Sequence, residues 1–133
     1  RESFRPFAPS IMEEYIKEFF DLNQNSPYMN IVADVKPAKI KYIPAVVHID
    51  KSARVHSVSK HFNENYYKLI ESFYEKTSIP LLLNTSFNIQ EPIVYSPEDA
   101  IKTFIKSDVD LLVMGNYYCT KQWKESEWKK NVT

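Results

Sequence analysis

An α/β fold built on a mixed sheet is what this 133-residue sequence predicts, and three features predict it. Short runs rich in β-branched residues alternate with segments whose apolar residues recur at helical spacing. Proline stands at the borders of these segments, at Pro37, Pro44, Pro80, Pro92 and Pro97, and keeps the elements short. Hydrophobic residues at 44% and charged residues at 26% match a globular domain of one core.

The elements follow in chain order. Residues 1–9 mix Arg, Pro and Phe without a period, and Ser10 with Glu13 then forms a capping-box pattern. That pattern predicts a helix over Ile11–Phe20, with Met12, Tyr15, Ile16, Phe19 and Phe20 on its apolar face. Asn23–Pro27 reads as a loop and Tyr28–Val35 as a strand stopped by Pro37. Ala45–Ile49 and Val55–Val58 are two further strand candidates. Asn63 caps a predicted helix reaching Lys76, whose inner face is Tyr66, Leu69, Ile70 and Phe73. Pro80–Leu83 is too short for a surface helix and reads as a strand. Pro92–Tyr95 is extended. Ser96-Pro97-Glu98-Asp99 then starts a helix with a cap, a proline at the first helical position and acids over the positive end of the dipole. Ala100, Ile101, Phe104 and Ile105 are expected to face inward. Asp110–Met114 is a last apolar strand, closed by Gly115-Asn116, before a polar tail over 121–133.

Composition excludes several functions. Lys plus Arg and Asp plus Glu are both 17, so no broad basic field exists to hold nucleic acid. The single Gly excludes a glycine-rich phosphate loop. No apolar run reaches the roughly 20 residues of a membrane span. A lone Cys119 forms neither an internal disulfide nor a multi-thiolate metal site, which favours a reducing, cytoplasmic setting. The chain opens on Arg1 without an initiator Met, so a fragment of a longer polypeptide is expected.

Among the basic residues, 14 are Lys and only Arg1, Arg5 and Arg54 are Arg. A chain that uses Lys for its solvated surface reserves Arg for planar, bidentate recognition of anions, the alternative being structural pairing with carboxylates. Asn84-Thr85-Ser86-Phe87-Asn88 follows the Leu81–Leu83 strand, where ligands of open α/β sheets bind, or is a turn that ends the strand. His48-Ile49-Asp50-Lys51-Ser52-Ala53-Arg54 gathers His, Asp, Ser and Arg after a strand, but has no third metal ligand and no sign of a strained nucleophile. His56 and His61 read as surface residues, and Tyr66, Tyr67, Phe73 and Tyr74 as core. Trp123 and Trp128 lie in the charged tail and carry no functional claim.

These segments together resemble the C-terminal domain of the O-carbamoyltransferases of nodulation and antibiotic-tailoring type, the group of the tobramycin and cephamycin carbamoyltransferases. The likeness rests on 1–10 (RESFRPFAPS), Ser26-Pro27-Tyr28-Met29, Ile43–Asp50 with Ala53-Arg54-Val55, Leu82–Asn88, Glu91–Val94 and Ser96–Ala100, in family order to about residue 118. It implies a YrdC-like domain over 1–120: a twisted mixed sheet with helices packed on it and an open concave face for ligand. It also implies formation of carbamoyl-adenylate from carbamoyl phosphate and ATP, the ATP being a substrate with or without Mg. No metal would be held by side chains of this domain. An N-terminal actin-like-fold transferase domain of the same polypeptide would pass the carbamoyl group to a hydroxyl. Neither nucleic acid nor membrane is an expected partner.

By resemblance Ser86-Phe87-Asn88 matches the family's Ser-x-Asn element and Arg1 the Arg of its Lys-x-Arg pair, the Lys lying before residue 1. Arg54 and Ser86 are expected to be catalytic, and Arg1, Arg5, His48, Ser52, Arg54, Asn84, Thr85, Ser86 and Asn88 to bind ATP and carbamoyl phosphate. The three Arg are expected to converge with the 85–88 loop. The family's usual Gly-Thr is replaced here by Lys51-Ser52, so this loop must turn without Gly. The competing reading is a non-catalytic substrate-binding or scaffolding domain that docks on the transferase domain.

Overall fold

The computed structural model describes residues 7–121, which fall into two compact units that divide between Thr85 and Ser86. The first unit carries a four-stranded mixed sheet: β1 (Ala8–Met12), β2 (Ile31–Asp34), β3 (Ser52–Val58) and β4 (Leu81–Asn84), in the order β2-β3-β1-β4. β1 runs parallel to β3 and antiparallel to β4, and β2 pairs antiparallel with β3. Two helices belong to this unit, the one-turn α1 (Ile16–Phe19) and α2 (Glu64–Thr77).

The helix expected over Ile11–Phe20 is corrected. Its first part is the central strand β1, all five residues of which are buried, and only Glu13–Tyr15 and α1 turn helically. A strand enclosed on both edges and both faces draws ladder bonds and apolar contacts from two neighbours, which outweighs a weak local cap. On one sheet face Ile11, Ala33, Ala53, Val55 and Leu81 pack with Phe19, Phe20, Ile43 and Val46. On the other, Met12 and Val58 pack with Tyr67 and Ile70 of α2. The single expected core is thus split by the sheet, and the second unit has a cluster of its own.

Asn63 caps α2 as expected, its Oδ1 accepting from the Tyr66 amide at 3.2 Å. The helix rests on the sheet through Ile70 and Tyr66, as expected, joined by Tyr67 and Tyr74, while Leu69 and Phe73 are exposed. Ala45–Ile49 is not a strand: Pro44–Val46 forms a 3-10 turn that drives Val46 into the core. The strand expected over Val55–Val58 is present and begins earlier, at Ser52.

In the second unit α3 (Pro97–Lys106) packs Ala100 and Phe104 against Leu112. Ile105, expected inward, is exposed, and Thr103 is the buried neighbour. β5 (Leu111–Met114) pairs antiparallel with β6 (Tyr117–Thr120), a strand not anticipated. Gly115 has φ 58°, the positive value that a two-residue hairpin turn requires. The mixed α/β architecture is the class expected and is consistent with a YrdC-like fold. Among the described residues, no helix is long and apolar enough to cross a membrane.

Candidate functional site

Register decides which side chains share the site. Ser10 on β1 stands opposite His56 on β3, and Ala8 opposite Asn84 on β4. Because side chains alternate along a strand, Arg54 lies on the same face as His56. The same register sets Ala8 level with Arg54, so Arg54, Ala8 and Asn84 form one row across three strands. Two strand spacings put the outer Cα atoms about 10 Å apart. α2 covers the neighbouring stretch of this face, over Met12, Val58 and Leu82.

Within this face three polar side chains bond to one another. Ser10 Oγ lies 2.8 Å from His56 Nδ1, and Asn84 Nδ2 donates to Ser10 Oγ at 3.0 Å. Asn84 Nδ2 also approaches His56 Nδ1 at 3.3 Å. Ser10 is fully buried, so its hydroxyl depends on these partners. The His56 ring stacks near Tyr66, with centroids 6.3 Å apart. Burial disfavours the charged imidazolium and pushes the His56 pKa below the ordinary value, opposed by the nearby Pro27 carbonyl.

Arg54 is exposed on β3 opposite Val32. Ahead of it the chain turns tightly: Lys51 N–H donates to the His48 carbonyl at 2.9 Å and His48 N–H to the Ser52 carbonyl at 2.7 Å. Lys51 has φ 68°, a left-handed conformation at the position where the resemblance has Gly. Asp50 holds the turn, its Oδ1 accepting from Ser52 Oγ at 2.7 Å and from the Ser52 amide at 3.0 Å. These bonds from Ser52, with His48 nearby, lower the Asp50 pKa. The buried Ser52 hydroxyl is therefore engaged in the turn, while His48 is half-buried beside it.

Of the other expected site residues, Arg1 and Arg5 lie outside the described residues. Asn84 and Thr85 end the first unit, and Ser86 and Asn88 belong to the second. Ser86 is exposed, and Asn88 Nδ2 donates to the Glu91 carbonyl at 2.9 Å. The structure thus brings Arg54 and Asn84 onto one sheet face and adds Ser10 and His56, which sequence reasoning missed. The available signal was the alternation Arg54-x-His56-x-Val58 against Ala53-x-Val55, which divides two strand faces. Among the described residues no three His, Cys, Asp or Glu side chains gather as for a metal ion.

Sequence comparison adds an independent finding. The carbamoyltransferase C-terminus family profile matches residues 1–121. Nodulation protein NolO of Bradyrhizobium diazoefficiens is 47% identical over 126 residues, covering 92% of this chain and 23% of the relative. Nodulation protein NolNO of Sinorhizobium fredii is 44% identical over 135 residues, covering 98% of the chain and 20% of the relative. An uncharacterized protein of Methanocaldococcus jannaschii is 42% identical over 122 residues, covering 91% and 24%. The chain therefore spans about a fifth to a quarter of the length of these relatives, which contain a further region of chain.

Proposed function

The chain belongs to the carbamoyltransferase C-terminus family, and from that premise we propose that it is the adenylate-forming domain of an O-carbamoyltransferase. Its substrates are carbamoyl phosphate and ATP, and a further domain of the same polypeptide transfers the carbamoyl group to a hydroxyl. One water converts carbamoyl phosphate to carbamate and phosphate. A carbamate oxygen then attacks the α-phosphorus of ATP, and the bond from that phosphorus to the bridging oxygen breaks, pyrophosphate leaving with the electron pair.

The observation that carries this reading is Arg54, a planar cation level with the amide of Asn84 on one sheet face, in a chain whose other cations are mostly Lys. Joining two anions needs a donor that screens the attacking oxyanion and holds the phosphate in line, which is positioning and electrostatics more than covalent chemistry. Ser86 and Asn88, of the second unit, are phosphate-binding donors only by the same resemblance. Arg1 and Arg5, expected by the same resemblance to bind ATP and carbamoyl phosphate, lie outside the described residues.

The test uses the full-length protein and measures carbamoyl-phosphate-dependent release of pyrophosphate from ATP. Arg54→Ala is expected to lower the rate by about 30-fold or more, equivalent to about 2 kcal/mol of transition-state stabilisation. Arg54→Lys keeps the charge but loses the fork and should recover only a small part of it. Rates within about twofold of wild type for both variants overturn the catalytic role of Arg54. No carbamoyl-dependent pyrophosphate release by the wild-type protein overturns adenylation and leaves the scaffolding reading.

A further inference from the structure

The hydrogen bonds around Ser10 have a direction, and the Asn84 amide sets it. An N–H donor stands within reach of both Ser10 Oγ and His56 Nδ1, so Nδ1 serves as an acceptor and a neutral imidazole carries its one N–H on Nε2. The Ser10 hydroxyl then donates its single proton to Nδ1 and receives from Asn84 Nδ2. Asn84 Nδ2 is also 3.3 Å from Nδ1, a contact that is attractive only when Nδ1 is unprotonated. Each step leaves one arrangement for the next, and the amide of Asn84 is locked with its NH2 group inward.

The locked amide turns its carbonyl oxygen, Oδ1, away from the relay, and no residue among those described donates to it. Resting on the adenylation reading, we infer that Asn84 Oδ1 accepts a hydrogen bond from the amino group of the carbamoyl substrate, and that His56 and Ser10 are positioning residues that fix this orientation. The row through Ala8 fits such a ligand. Arg54 stands at one end, suited to phosphate or carboxylate oxygens, and a pure acceptor stands about 10 Å away between Cα atoms, a gap that two side chains narrow. Carbamoyl phosphate and carbamate both carry oxyanions at one end and N–H donors at the other. Acetyl phosphate has the same anion and no N–H, so an acceptor at this place distinguishes the two. A site built to pair a substrate N–H discriminates against an analogue lacking it, because the ligand then covers an acceptor and leaves it unpaired.

Two measurements on the full-length protein test this. Selective 15N labelling of histidine reads the His56 tautomer directly: the expected result is a protonated Nε2 and an unprotonated Nδ1. The opposite tautomer reverses the relay and overturns the inference without any substitution. Steady-state pyrophosphate release then separates roles: Asn84→Leu should reduce kcat/KM for carbamoyl phosphate by about 30-fold or more while the KM for ATP changes less than threefold. Acetyl phosphate, a weak competitor of the wild type, should compete with carbamoyl phosphate at least tenfold better in the variant. An equal loss toward both phosphates, or a loss confined to ATP, overturns the amino-group assignment, the latter pointing to a ribose hydroxyl. If wild-type protein releases no pyrophosphate with carbamoyl phosphate, the adenylation reading falls and this inference falls with it. If it does and Asn84→Leu is unaffected, this inference alone falls.

Discussion

Ser10-Ile11-Met12-Glu13 and Ser96-Pro97-Glu98-Asp99 carry the same local pattern, a hydroxyl three residues ahead of an acid. At the second the pattern is obeyed. Ser96 Oγ accepts from the Asp99 amide at 3.2 Å and donates to its carboxylate at 2.9 Å, and α3 follows. At the first, Ser10 lies in the middle of a strand and no side chain caps the turn that follows. Pro97 accounts for part of the difference, since its fixed φ suits a first helical turn and it has no N–H to give a ladder. Burial accounts for the rest: Ile11 is fully enclosed between β3 and β4. A capping signature acts where no neighbour competes for the residues beyond it, and a serine released from capping is free to join a relay.

The largest effect is expected where that competition is strongest. Ile11→Ala should destabilise the first unit by about 2–5 kcal/mol, the range for emptying a packed aliphatic site. Ile105→Ala, on the exposed side of α3, should change the stability of its own unit by less than about 0.5 kcal/mol. Native-state hydrogen exchange at β1 and α3 amides reads the two regions separately. A cost at Ile11 as small as that at Ile105 would show that burial does not decide the fate of the Ser10 segment.

A serine-to-alanine pair sharpens the contrast. Ser10→Ala removes the middle of a buried relay and should cost about 1–2 kcal/mol, moderated because Asn84 Nδ2 and His56 Nδ1 are close enough to bond directly. Ser96→Ala removes a cap and should cost about 1 kcal/mol. Only the first should also lower carbamoyl-phosphate-dependent pyrophosphate release in the full-length protein, and loss from both would tie that activity to general stability.

Local rules made α2, α3 and the cores of β2, β3, β4 and β5 legible, because Asn63, Ser96, Pro97 and Gly115 each act through their immediate neighbours. Legibility ended where distant segments decide. Nothing within ten residues of Ser10 reports that Leu82 and His56 flank it. The Ala45–Ile49 run has the composition of a strand but forms no strand ladder among the described residues, and Pro44 turns it instead. The same boundary divides the site. Arg54 and Asn84 were found as unusual residues at strand ends, whereas His56 and Ser10 acquire meaning only from pairing across three strands.

Acid should separate the two regions in order, and this is the smallest effect expected. His56 has its pKa below 6.5 in the fold, so the neutral ring favours the folded state. That contribution is fully present above pH 6.5 and is lost as pH falls through the folded value. Glu91 is held down to about 2 from 4.5, first by the Thr103 hydroxyl, which donates to it at 2.7 Å from α3, and then by backbone amides. Its contribution is complete above pH 4.5 and is lost only between there and about pH 2. Protection of β1 amides should therefore begin to fall at milder acid than that of α3 amides, after correction for the intrinsic exchange rate. His56→Gln should flatten the first decline, because Gln does not titrate and its carbonyl can still accept from Ser10. Thr103→Val should flatten the second. A single simultaneous acid transition of both regions, unmoved by either variant, would mean that neither group governs its own unit.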